Sequence, residues 1–243
     1  VIYRTRPGQV SSGEAIGILL LDSPVPFIPG DVANATTYPF PVRFQKVEGF
    51  TVERALAGDA SVYDDLLAAA RSLVGQGVRA VTGDCGFMGF HQPRLAEELK
   101  VPVFLSSLIQ VPFICQLIGP RAQVGILTAS GRGLNDRLLA AVGITDPGRL
   151  AVRGLENEPA FREFALAESG SLDLEAVRGE VVAAARELTA GRPAVRAILL
   201  ECSLLPPYAA AVQEAVGLPV FDYITMINYV FSALVQRPYQ GFM

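Results

Sequence analysis

The chain has 243 residues, 51% hydrophobic and 18% charged, with a formal net charge of −4. That is ample apolar material for a large core in one domain or two lobes. The absence of Trp and of any long basic block argues against a nucleic-acid partner, because phosphate binding needs clustered Lys and Arg.

Val1 to Gly13 carries Arg4 and Arg6 but no apolar run before a cleavage site, so it reads as a loose tail, not a signal peptide. Ile16 to Asp22 (IGILLLD) reads as a buried strand. The Pro- and Thr-rich stretch after it, with Asp31 and Thr37, is long enough to act as a lid over a site. Pro41 to Val47 reads as a second strand. Asp59 to Val74 reads as a helix with Leu66, Leu67, Ala70 and Leu73 on one side. The strand Val78 to Thr82, a helix from Pro93 to Leu99 and the strand Val101 to Leu105 follow. The apolar run Val101 to Gly119 contains Pro102, Ser106, Ser107, Gln110, Pro112 and Gln116, which makes it strand then buried helix, not a membrane span. This βαβ rhythm predicts an α/β fold with parallel sheets covered by helices.

The second half repeats the first. Val78-Arg79-Ala80 recurs as Val195-Arg196-Ala197, Asp84-Cys85 as Glu201-Cys202, and Val101-Pro102-Val103-Phe104 as Leu218-Pro219-Val220-Phe221, all at an offset of 117 residues. Ile16-Gly17-Ile18-Leu19 matches Val124-Gly125-Ile126-Leu127 at an offset of 108, so an insertion separates the halves. The expectation is two similar Rossmann-like lobes related by a pseudo-twofold axis. One spans 14–119, with 222–243 packing back on it, and the other spans 120–221. In parallel α/β sheets, ligands bind beyond the carboxyl ends of the strands. Cys85 and Cys202 each end a strand, so the two thiols are expected to face one small-molecule cleft.

A thiol has an unperturbed pKa of ~8.5, and its thiolate can remove a proton that a second thiol replaces. With one thiol on each face of a carbon, this inverts a stereocentre next to a carboxylate. The N–H groups of Gly86 and Ser203, each following a cysteine, can stabilise the developing charge. Further contacts, chosen because they follow strand ends, are Ser106, Thr128 and Ser130, with Asp31 and Thr37 from the lid. The turn Gly131-Arg132-Gly133 offers another place for a carboxylate. Strand alternation points Asp84 and Glu201 away from the site, in a structural role. Cys115 has no repeat partner and reads as core. Three cysteines, an odd number, argue against a disulfide scaffold and for a reducing, cytoplasmic setting. A metal site is not indicated, because CxxC and HxxxH spacings are absent and His91 is the single histidine. His91, six residues past Cys85, is placed near the site, on the surface or at a helix end. No GxSxG elbow, GxGxxG or P-loop is present.

At Thr82-Gly83-Asp84-Cys85-Gly86-Phe87-Met88, Leu199-Leu200-Glu201-Cys202-Ser203, Pro206-Pro207-Tyr208, Leu218-Pro219-Val220-Phe221-Asp222 and Pro29-Gly30-Asp31, the chain resembles the aspartate/glutamate/hydantoin racemase superfamily. Within it, the likeness is to the Alma-type branch of dimethylsulfoniopropionate lyases. The resemblance covers nearly the whole chain from Glu14. It implies two α/β lobes, one cysteine from each as acid and base, no pyridoxal phosphate or other cofactor, and dimers or another homo-oligomer. Racemases of the superfamily follow the first cysteine with Asn-Thr, where this chain has Gly86-Phe87. The Alma-type lyases carry Thr-Glu where it has Ser203-Leu204. The first expectation is a racemase or epimerase of a small carboxylate-bearing compound, without a membrane partner. A carbon–sulfur lyase and a non-catalytic ligand-binding protein are the alternatives.

Overall fold

A computed structural model describes residues 2–5 and 7–243. Val1 and Arg6, in the stretch expected to be a loose tail, lie outside the described residues. The first lobe contains β1 (Ile16–Leu20), β2 (Val42–Lys46), α1 (Val52–Ala57), α2 (Tyr63–Gly75), β3 (Ala80–Gly83), α3 (Gln92–Glu98), β4 (Val103–Phe104) and α4 (Val111–Ile118). The second contains β5 (Gln123–Thr128), α5 (Asp136–Ala141), β6 (Leu150–Gly154), α6 (Pro159–Phe161) running into a π turn at Arg162–Leu166, and α7 (Leu174–Thr189). It continues through β7 (Val195–Leu200), α8 (Ala209–Val216) and β8 (Val220–Phe221) to α9 (Tyr223–Leu234).

Each lobe has one parallel four-stranded sheet, in the orders β2-β1-β3-β4 and β6-β5-β7-β8. The two orders are identical when β1 to β4 are matched to β5 to β8, which is the duplication seen in sequence. The central strands are buried along their length, as parallel strands covered on both faces require. Gly17 in β1 and Gly125 in β5 occupy matched positions. A Cβ at Gly17 would come within 3.0 Å of Leu73 on α2, and one at Gly125 within 3.0 Å of Leu188 on α7. Glycine lets the covering helix close on the sheet at the same place in both lobes.

The helices that follow the last strand of each lobe are exchanged. α9 lays Tyr223, Met226 and Ile227 on Ile16, Ile18, Ala80 and Phe104 of the first sheet. α4 falls within 14–119 in sequence, yet its Val111 and Ile114 join Val124, Ile126, Ala197 and Leu199 of the second sheet in one core. Tyr223 Oη donates to the Leu105 carbonyl at 2.7 Å, and an Asp222–Thr225 capping box starts α9. This exchange fixes the two sheets against each other. Residues 236–243 beyond α9 are exposed. Among the described residues, no helix is long and apolar enough to cross a membrane.

If α9 clamps the first lobe, Ile227→Ala, at a fully buried site, will lower unfolding stability in urea by about 2–5 kcal/mol. Ser232→Ala on the exposed side of the same helix is expected to stay within about 0.5 kcal/mol.

Candidate active site

β3 and β7 end next to each other at the junction of the lobes. Ser203 Oγ donates to the Asp84 carbonyl, and Ser107 Oγ donates to the Glu201 carbonyl at 3.0 Å. Each turn is therefore held by a hydroxyl from the opposite half. Between them lies a cavity of about 50 Å³, room for a few waters or one small molecule. Asp84, Cys85, Gly86 and Phe87 line it from one side, and Glu201, Cys202, Ser203 and Leu204 from the other. The rest of the wall is largely apolar: Leu21, Val25 and Phe27 after β1, Val52 and Leu56 of α1, Ala129 after β5, and Ala165 and Leu166 of the π turn. No Lys or Arg lines it among the described residues.

Both thiols are free. Burial pushes the Cys85 thiol far above its ordinary value, and the charges of Glu201 and Asp84 push it further, while the N–H groups of Phe87 and Met88 oppose them. Burial and the Glu201 charge do the same to Cys202, against the N–H of Leu204, and the Cys85 and Asp31 charges add to the rise. Burial thus drives both sulfurs toward the neutral thiol.

The two acids preceding the cysteines correct the expectation from alternation. Asp84 and Glu201 both line the cavity. β3 stops at Gly83 and β7 at Leu200, so alternation no longer governs the next residue. Asp84 Oδ1 accepts from the Leu21 N–H at 3.0 Å. Glu201 Oε2 accepts from Thr128 Oγ1 at 2.8 Å. Burial raises both carboxyls to about 7. Asp31 is raised to about 8 by burial, with the Asp84 charge adding to the rise against the Ala33 N–H.

Of the expected contacts, Gly86 and Ser203 line the cavity with the cysteines. Ser106, Thr128, Ser130, Asp31 and Thr37 do not, and each has a local task that occupies it. Ser106 caps the turn into Ser107–Gln110, and Thr128 holds Glu201. Ser130 Oγ accepts from Gly133 N at 3.2 Å. Asp31 Oδ1 accepts from Ala33 N at 2.8 Å, and Thr37 Oγ1 donates to the Asp31 carbonyl at 2.7 Å. The stretch after β1 does border the site, but through Leu21, Ser23, Val25 and Phe27. In the turn Gly131-Arg132-Gly133, the Gly131 N–H already binds the Glu156 carboxylate at 3.1 Å. His91 is buried between Phe50 and Tyr63, away from the cavity, and desolvation lowers its pKa. The apolar wall was missed because its residues come from four separate elements with no shared motif.

No protein-family model matches the chain. A dimethylsulfoniopropionate lyase 7 of Emiliania huxleyi (strain CCMP1516) is 32% identical over 239 residues, covering 93% of this chain and 69% of the relative. A dimethylsulfoniopropionate lyase of Durusdinium sp. clade D is 30% identical over 234 residues, covering 93% and 77%. The chain belongs to the dimethylsulfoniopropionate lyase family. Other members of this lyase family are longer: the chain spans 47% of lyase 5 of Emiliania huxleyi (strain CCMP1516), with 34% identity over 237 residues and 93% of this chain covered. The fold is shared with glutamate racemase from Bacillus anthracis (TM-score 0.58, 14% identity, covering 92% of this chain and 82% of that one). It is shared too with unliganded arylmalonate decarboxylase (TM-score 0.56, 18% identity, covering 91% and 92%).

The raised carboxyls set the sign of a stability profile. Asp31, Asp84 and Glu201 bind their protons more tightly folded than unfolded. Their contribution is complete below about pH 4 and is lost as pH rises toward 7–8, at up to about 1.4 kcal/mol per pH unit for each group. Urea midpoints are expected to fall between pH 5 and 8, and Asp84→Asn or Glu201→Gln to flatten the fall.

Proposed function

We propose that the chain catalyses a β-elimination that cleaves the carbon–sulfur bond of dimethylsulfoniopropionate or a close sulfonium carboxylate, with Cys85 and Cys202 as the proton-transfer pair. The observation that carries this reading is the pair itself, two thiols from matched strand ends on one small cleft, in a chain whose relatives are named for this lyase activity. One thiolate removes the proton next to the carboxylate. The electron pair of that C–H bond forms the new C=C bond, the C–S bond breaks, and its electrons leave on dimethyl sulfide, with acrylate as the other product. The proton passes from the thiol to solvent, which regenerates the thiolate. The chemistry at each residue is acid–base only.

The electrostatics support a substrate of this kind. Among the described residues, no Lys or Arg lines the cleft to neutralise a net anion, and an uncompensated charge in an apolar cavity is costly. A sulfonium carboxylate has no net charge. Its weakly hydrated cation suits the apolar wall and the rings of Phe27 and Phe87. The same cation is a countercharge for the thiolate, so the substrate itself lowers the pKa of the attacking sulfur.

Racemisation, the reaction expected first from sequence, shares the proton-abstraction step. It stands second because the named relatives are lyases and because amino-acid dicarboxylates bring a net negative charge into this cleft. In the test, dimethylsulfoniopropionate and a panel of chiral amino acids and hydantoins are incubated in deuterated water. Dimethyl sulfide in the headspace supports elimination. Deuterium beside the carboxylate with loss of optical activity in the panel supports racemisation instead. Cys85→Ser and Cys202→Ser are each expected to lower the rate of dimethyl sulfide release by about 10²-fold or more. Unchanged turnover in both variants overturns the assignment.

A further inference from the structure

Glu201 is fully buried, and its two oxygens are not equivalent. Oε2 accepts the Thr128 hydroxyl at 2.8 Å. Oε1 is buried and, among the described residues, has no hydrogen-bond partner. Glu201 is among the residues that line the cleft cavity. Oε1 also lies only 1.4 Å from where a Cβ on Gly86 would stand, so the carboxyl occupies the space that any side chain after the first cysteine would fill. Glycine at 86 and glutamate at 201 are thus one steric unit spanning the two lobes.

We infer that Glu201 is a substrate-binding residue that receives the substrate carboxylate by donating an Oε1–H hydrogen bond. The inference rests on the reading of the cleft as a site for a small carboxylate, and it names the group that holds that end. The titratable groups facing Glu201 are Cys85 and Asp84 from the first lobe, Cys202 beside it and Tyr223 from α9. None is a cation, so nothing in the wall stabilises an ionised Glu201, and burial lifts it to about 7. With a hydroxyl already donating to Oε2, the proton resides on Oε1. A buried O–H without an acceptor is an unmet donor, and a carboxylate ligand meets it. A cleft with no lining Lys or Arg among the described residues thereby holds an anionic end without a fixed positive charge.

The test uses trimethylammonioacetate, which carries no net charge, cannot undergo the elimination and has an ionised carboxylate across the range studied. Its affinity is measured by ligand-observed NMR from pH 6 to 9 in the wild-type protein and three variants. Only the acid form of Glu201 donates, so affinity is lost as pH rises through about 7, approaching tenfold per unit above it. Glu201→Gln keeps an N–H donor of similar reach and is expected to bind this zwitterion with no such pH dependence. Glu201→Met is expected to weaken binding at least tenfold at pH 6. Gly86→Ala, which leaves Glu201 in place but crowds Oε1 out, is expected to do the same. Circular dichroism confirms that each variant is folded. A flat wild-type profile, undetectable binding of the zwitterion, unchanged affinity in Glu201→Met, or a titration that persists in Glu201→Gln (which assigns it to Asp84) overturns the inference. Dimethyl sulfide release is read separately, so a failed lyase reading with intact pH-linked binding of the zwitterion is distinguishable from a failed role for Glu201.

Discussion

The structure depends on two strand-end turns packed together with, among the described residues, no Lys or Arg lining the cavity between them. Asp84-Cys85-Gly86 and Glu201-Cys202-Ser203 are joined by the Ser203 and Ser107 hydroxyls, each satisfying a carbonyl of the other half. Two carboxyls and two thiols then share one small cavity. Without a countercharge, every acidic group there is driven toward its neutral form. The exchanged helices α4 and α9 keep the turns in place, because each ties its own lobe to the sheet of the other.

That constraint bears on the proposed chemistry. In the proposed elimination, a ligand that brings its own cation favours the thiolate over the neutral thiol. The scaffold is shared with a glutamate racemase and an arylmalonate decarboxylase, so the fold alone leaves the reaction open. The electrostatics of the lining support the proposed substrate, which has no net charge.

Much of the fold was legible in the sequence. The offset of 117 residues between Asp84-Cys85 and Glu201-Cys202 anticipated two sheets of identical strand order, and both cysteines reach the same cavity. The exchange of α4 was hidden, because the apolar stripe of Val111 to Ile118 fits either sheet. Asp84 and Glu201 were assigned away from the site by alternation, a rule that lapses where the strand stops. Ser106, Thr128 and Ser130 follow strand ends as ligand contacts do, but their hydroxyls serve nearby turns or Glu201. Sequence position locates a side chain at the seam without showing which neighbour claims it. The apolar wall from Leu21 to Leu166 is a product of tertiary packing.

The central claim is that Cys85 and Cys202 face one cavity. Titration of a folded Cys115→Ser protein with mercuric chloride, followed by intact-protein mass spectrometry, tests it directly, because mercury displaces the proton even of a neutral thiol. One mercury ion bridging both sulfurs in each molecule is the predicted result. Two mercury ions on the same folded molecule, one on each sulfur, would contradict it.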